Sequence, residues 1–275
     1  MFYRIILAGF IIAVLSSSAA EKRVSHTGRA MPAFRIEAEG FGSSASDIKA
    51  VCDSAGSQLW RHFSQYEIDP FVVKRGNNGP FFGYKKNDQG ELEILLDTRH
   101  TYWSQYAYQF SHEFCHMLCG RGKKDPAQMW FEETLAETAS LFAMRAMARE
   151  WKMDPPYPNW KDYSDALRTY VDEIEVKRGG IYEIYEKGLG VFYRTHQERL
   201  RQECCDRELN GAMAVVLLRL FEEQPQNWEA VRWLNSSELQ AGQTFQQHLR
   251  RWESAVPERH KSFVRKVASL YGAGG

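Results

Sequence analysis

His112-Glu113-Phe114-Cys115-His116 sets two imidazoles four residues apart with a carboxylate beside the first. On a helix, residues four apart share a face. His112 and His116 can therefore offer ring nitrogens to one ion, and Glu113 falls beside that face, within reach of a water at the ion. Zinc takes imidazole nitrogen and carboxylate oxygen, and a catalytic zinc site keeps one position open. Two His leave such a set one protein ligand short. The stretch Trp130-Phe131-Glu132-Glu133-Thr134-Leu135-Ala136-Glu137 supplies carboxylates one helical turn apart, with Glu133 as third ligand and Glu137 as its supporting carboxylate. The chemistry open to this set is hydrolysis, in which zinc makes a water acidic and Glu113 takes its proton as general base.

Trp-x-x-Glu-x-x-Ala-Glu downstream of His-Glu-x-x-His resembles the gluzincins, zinc metallopeptidases whose third metal ligand is a Glu on the next helix. The likeness is to their aminopeptidase-like group and its small, single-module relatives. Trp130, Glu133, Ala136 and Glu137 match that group's second motif position by position. Two departures stand out. Sixteen residues separate His116 from Glu133, slightly fewer than is usual in the group. Glu132 stands where the group often has Asn, which makes it a rival ligand. An offset of one residue turns a helical side chain by about 100°, so Glu132 and Glu133 cannot both face the metal. Glu133 is favoured because it sets Glu137 on the same face.

The resemblance implies further parts. Such enzymes place a Tyr from the helical region on the oxyanion of the tetrahedral intermediate, inside a Tyr-Glu-Lys-Gly-like segment. Tyr185-Glu186-Lys187-Gly188 makes Tyr185 the candidate, with Tyr182, Tyr193 and His196 as rivals. In a second register the apolar helix at 210–223 follows the segment, and Glu208 then stands where the Tyr belongs. The resemblance also implies that the strand at 91–97 forms the sheet edge above the cleft, where an extended peptide can bind by strand addition. Aminopeptidases of the group hold the substrate's amino terminus partly with Gly-x-Met-Glu-Asn on that strand. Leu92 to Thr98 reads Leu-Glu-Ile-Leu-Leu-Asp-Thr, which favours an endopeptidase or a narrow peptide hydrolase.

The elements that must position these residues are legible as patterns. Tyr106 to Leu118 is apolar, aromatic and free of Gly and Pro, which predicts a helix with Gly120 and Gly122 as stops. A second helix runs from the Trp130 segment to about Trp151, after a surface turn at Lys123-Lys-Asp-Pro126. Ahead of them, Phe34–Glu39, Phe71–Lys74, Phe81–Tyr84 and Leu92–Asp97 read as strands, and Ser43 to Phe63 has helical spacing. Asp154-Pro-Pro-Tyr-Pro-Asn159 breaks the pattern. Beyond it the chain reads as helix: 162–176, 181–201 kinked or split at its glycines, a buried apolar helix at 210–223, then 228–234, 244–253 and 258–270. The expected fold is α+β, a small mixed sheet lobe at 21–153 carrying the His-Glu-x-x-His helix, followed by a mostly helical lobe at 154–275.

Residues 1–20 have the layout of a secretory signal peptide. Arg4 gives a basic start, Ile5 to Leu15 is an apolar run too short for an ordinary membrane span, and Ser-Ala-Ala ends the segment. The expected location is secreted or periplasmic, with no stable membrane insertion after cleavage. The chain carries 35 basic and 35 acidic residues, so nothing favours nucleic acid as a partner. The expected partner is a peptide or protein substrate. The five cysteines, 52, 115, 119, 204 and 205, leave at least one thiol unpaired. Cys115 and Cys119 read as small core residues.

The competing class is a non-catalytic exported zinc-binding protein that keeps the metal for structure or uses the cleft to bind peptide. Glu113 argues against it, because structural zinc sites are usually closed by four protein ligands and need no adjacent base. Cys119, three residues past His116, would favour it as a fourth ligand. A metal hydrolase acting on something other than peptide is a third reading.

Overall fold

A computed structural model describes residues 30–120, 122, 124–236 and 242–273. Residues 1–20, expected to be a signal peptide, lie outside the described residues. The chain is α+β, with a four-stranded sheet early in the sequence and helices thereafter. β1 (Phe34–Ile36), α1 (Ala45–Trp60), β2 (Phe71–Arg75), β3 (Phe81–Gly83) and β4 (Leu92–Leu96) precede the two long helices, α2 (Trp103–Leu118) and α3 (Met129–Trp151). After them come α4 (Tyr163–Lys177), α5 (Gly180–Lys187), α6 (Leu189–Gln202), α7 (Arg207–Glu223), α8 (Phe245–Ala255) and α9 (Glu258–Leu270). Among the described residues no helix is long and apolar enough to cross a membrane.

The sheet order is β1-β2-β4-β3. β1, β2 and β4 run parallel, with Phe34 opposite Phe71 and Phe71 opposite Leu92. β3 is antiparallel to β4, with Phe82 opposite Ile94. The edge above the helices is therefore β3 and not the strand at 91–97, which corrects the expectation drawn from the resemblance. The cause is local. Asn87 and Gly90 close a turn, with Gly90 donating to the Asn87 carbonyl, so β3 and β4 fold back as a hairpin. β4 then has β2 on its other side. Its alternation agrees with this interior place, since Leu92, Ile94 and Leu96 are buried.

α2 packs on the sheet through stacked rings. Phe34 lies 4.7 Å from Phe71, and Phe110 lies 5.5 Å from Phe114 on α2 beneath them. α3 is buried on nearly every side, because α1, α2, α4 and α7 all pack on it. A helix enclosed in this way has little need of a polar face. α2 and α3 are antiparallel, with His116 facing Glu132 and the Tyr108 carbonyl accepting from Ser140. α3 and α7 run the same way, with Thr134 near Asn210 and Arg145 on Glu222. Asp206 caps α7 by accepting from the backbone of Glu208 and Leu209. The hydrophobic core continues across residues 154–159, where Trp160 packs on both Trp103 and Trp151. The expected segment at 181–201 is split, and Gly188 at φ +86° separates α5 from α6. All five cysteines are free thiols, with the Cys204 and Cys205 sulfurs 3.4 Å apart.

Candidate metal centre

The antiparallel pairing of α2 and α3 brings the predicted ligands together. One donor atom each from His112, His116 and Glu133 lies within 4.8 Å of the others, so the three can hold a metal ion. Nε2 of His112 is 3.2 Å from Glu133 Oε2, and Nε2 of His116 is 3.4 Å from Glu133 Oε1. The two imidazoles meet edge to face, 5.0 Å apart. Glu113 is buried beside them, with a backbone hydrogen bond from Phe82 of β3. Cys119 is not in this group among the described residues. It ends α2 as a buried free thiol, hydrogen-bonded with the Cys115 thiol.

Glu132 resolves the rivalry with Glu133. Its Oε1 is 2.7 Å from His116 Nδ1, its Oε2 accepts from Asn235 at 2.8 Å, and Lys124 pairs with it. A carboxylate only accepts, so His116 carries its proton on Nδ1 and turns Nε2 toward Glu133. This is the arrangement by which a carboxylate behind a metal-ligating His fixes its tautomer and orientation. Glu132 thus acts behind His116 and Glu133 faces the ligand nitrogens, as the 100° offset requires. Glu137, one turn beyond Glu133, is also buried. It accepts from the Tyr108 hydroxyl and lies 3.8 Å from Arg178.

The protein groups alone set strong electrostatics here. Burial opposes the charge of His112 and His116, but Glu133, joined at His116 by Glu132, outweighs it and holds both imidazoles above their ordinary value. Burial likewise opposes the Glu133 charge, yet hydrogen bonds to both His hold its carboxyl well below the usual range. Glu132 is lowered to about 2, against burial, by His116 and Lys124. Glu113 goes the other way. Burial pushes its carboxyl up, and the two His only partly offset this. Two carboxylates held as anions and one raised toward neutrality separate the holding role from the proton-moving role.

The structure does not bring Tyr185 to this group. Tyr185 is exposed and accepts from Arg219 at 3.0 Å. Arg219 is nine residues beyond Asn210 on α7, which is about 13 Å further along the axis at 1.5 Å per residue. The Tyr-Glu-Lys-Gly segment therefore ends α5 on the outer side of the helical half. Its rivals fare no better. Tyr182 is exposed, Tyr193 is packed on Trp130 and Phe245, and His196 pairs with Glu183. Glu208 meets Arg178 at 3.5 Å.

Several groups at the site escape a sequence reading. Lys124 belongs to a polar turn that reads as surface, yet its side chain is mostly covered, between Glu132 and Tyr84. Asn235 comes from a turn far along the chain. The one signal available was Glu132 itself, a buried-helix carboxylate adjacent to the ligand that needs a cation. No protein-family model matches the chain, and no curated protein or solved structure matches it.

Proposed function

We propose that the chain is an exported, zinc-dependent peptide hydrolase of the gluzincin type. The observation that carries this reading is the convergence of His112, His116 and Glu133 on one point with Glu113 buried at its side. The donor chemistry fits zinc, with two imidazole nitrogens, one carboxylate and a position left open. The three-residue set favours an open, catalytic site over one closed by four protein ligands. The export part rests on residues 1–20.

When bound, zinc would act as a Lewis acid on the scissile carbonyl and on the attacking water. The remaining work falls to the chain. Glu113 takes the proton as the water adds to the carbonyl carbon, and delivers it to the leaving amine as the intermediate collapses. Burial raises its carboxyl above the usual range, the direction that suits a group that must both take up and give back a proton. Glu132 keeps His116 turned inward, and Lys124 balances the Glu132 charge. Among the described residues β3 has β4 on one side only, so its other edge can hold an extended peptide by backbone hydrogen bonds. That edge passes directly beside Glu113, which would place a scissile bond within reach of the base.

The test pairs metal content with cleavage of a mixed peptide library, for the protein beginning at Glu21 and its Glu113→Gln variant. About one zinc per chain, as one His-His-Glu site predicts, with cleavage lost only in the variant, is the expected result. Zinc bound equally by both with no cleavage by either would move the assignment to a non-catalytic zinc-binding protein. Absence of zinc binding would remove the reading altogether.

A further inference from the structure

Cys204 and Cys205 sit in the turn between α6 and α7, and the hydrolase reading gives them no part. They differ from the other three cysteines in access. Cys52, Cys115 and Cys119 are fully buried, whereas Cys204 is half-buried and Cys205 is exposed. The two sulfurs of the turn lie 3.4 Å apart. A disulfide holds its sulfurs at about 2.05 Å, so an approach of about 1.4 Å would close a ring between these neighbours.

The turn is braced on both sides, which keeps the two thiols together. The Cys205 N–H donates to the Glu203 carboxylate at 3.3 Å, and the Cys204 carbonyl accepts from Asn210 at 2.7 Å. Asp206, the next residue, caps α7 and pairs with Arg199 of α6 at 2.5 Å. The turn also borders the metal-binding group. Asn210 lies 3.5 Å from the Thr134 hydroxyl, and Thr134 follows Glu133 in α3. Burial, followed by the Glu133 charge, pushes the Cys205 thiol up. Its thiolate is therefore scarce near neutrality, and its attack quickens as pH rises.

We propose that Cys204 and Cys205 form a redox-active dithiol, which takes a disulfide-bearing molecule as oxidant and closes to an internal disulfide on the helical side of the metal centre. Exposed Cys205 attacks first. Its thiolate sulfur bonds to one sulfur of the oxidant as the oxidant's sulfur–sulfur bond breaks, and the other half leaves as a thiol. Cys204, 3.4 Å away, then attacks the Cys205 sulfur, and the second half leaves as a thiol. Two protons and two electrons pass from the pair to the oxidant, which ends as two thiols. Adjacent Cα atoms lie about 3.8 Å apart, under the span of about 4.4–6.8 Å usual for disulfides. The closed ring is therefore strained and opens again to a reducing thiol. An exported location, as proposed from residues 1–20, would supply oxidants of this class. The reaction uses neither zinc nor Glu113, so it stands or falls apart from the hydrolase reading.

The experiment treats the reduced protein beginning at Glu21 with oxidised glutathione at mildly alkaline pH, below its thermal midpoint. Remaining thiols are then capped with N-ethylmaleimide in denaturant, and the chain is digested with trypsin. Cleavage after Arg201 and Arg207 releases one peptide, Gln202–Arg207, that contains both cysteines. The expected product is this peptide uncapped and two hydrogens lighter than its reduced form, with Cys52, Cys115 and Cys119 capped. Dithiothreitol before capping should restore two capped thiols. Cys204→Ser should stop at a glutathione adduct on Cys205, and Cys205→Ser should react far more slowly, with thermal midpoints confirming that both variants fold. A lasting glutathione adduct on the unsubstituted protein, a disulfide joining two chains, or unreacted thiols at 204 and 205 would each overturn the proposal. Equal adduct formation by the two variants would overturn the order of attack.

Discussion

Nδ1 of His116 stands 2.7 Å from Oε1 of Glu132, and both side chains are buried. Glu132 is ionised in this setting, so the contact is a charge-assisted hydrogen bond with its direction fixed. It settles which nitrogen of His116 remains for a metal. It also explains Lys124, whose ammonium offsets a carboxylate that burial would otherwise penalise.

Glu132→Gln should therefore weaken metal binding without abolishing it. An amide can still accept from His116, but it lacks the charge that makes the imidazole a stronger ligand. Loss of such a supporting partner typically costs about 10–100-fold in metal affinity. Glu133→Gln removes a ligand and should cost more. Competition against a chromophoric chelator measures both. Equal losses in the two variants would show that the two carboxylates have been assigned the wrong roles.

Gly122 couples backbone geometry to the same contact. A Cβ there would come within 1.4 Å of the Asn235 backbone oxygen, and Asn235 bonds both the Cys119 carbonyl and Glu132 Oε2. Gly122→Ala must push that turn away, at a cost of about 3 kcal/mol by analogy with overpacked sites. It should weaken metal binding by about tenfold, as loss of a support does. Gly179→Ala is the control, since nothing lies within 4 Å of a Cβ there. Urea denaturation and the same chelator competition check both. A Gly122 variant as stable and metal-tight as the Gly179 variant would refute the coupling.

The ease with which parts of this molecule read from sequence tracks the range of the interactions involved. α2 and α3 are visible because their apolar residues recur locally, and the two His lie four apart on one helix. Glu133 is legible because the one-turn spacing to Glu137 fixes a face. The place of β4 is not legible in the same way, because strand order depends on pairings between distant segments, and nothing within Leu92–Leu96 says which strand lies outside it. Tyr185 illustrates the opposite error. A four-residue match singles it out, while its position depends on how α5 packs against α7, where Arg219 bonds its hydroxyl. Tyr84 and Lys124 had no signal, since their meeting depends on a hairpin and a loop 40 residues apart.

Arg178 provides a test on the other side of the site. It lies 3.8 Å from Glu137, which is buried and otherwise held by the Tyr108 hydroxyl. Its guanidinium crosses Gly211, where a Cβ would approach Nε to 2.2 Å. Arg178→Leu should destabilise the fold by about 1–3 kcal/mol, because the buried Glu137 side chain loses that partner. Adding Glu137→Gln should restore part of that loss, since the amide still accepts from Tyr108 without a buried charge. A double-mutant cycle by urea denaturation reads the coupling. Strict additivity would show that the 3.8 Å contact carries no energy.

The pH dependence follows from the opposed shifts at the centre. His112 and His116 are raised in the folded chain, so the stability they add is full below the unfolded value of about 6.5. That part is lost as pH rises through their higher folded values. Glu132 and Glu133 are depressed, so their part is full above the unfolded value of about 4.3. It is lost as pH falls, for Glu132 toward about 2. Chelator-treated protein should therefore gain most from these four groups between roughly pH 4.3 and 6.5, and its thermal midpoint should decline above that window. Metal requires neutral imidazoles, so binding must expel the protons that Glu133 and Glu132 help retain, and affinity should rise with pH. Calorimetric titration with zinc at pH 7, in two buffers of different ionisation enthalpy, counts those protons. Release of about one or more per zinc is expected from two raised imidazoles. Release of none would show that His112 and His116 are already neutral before the metal arrives, and that the Glu133 carboxylate does not hold them charged.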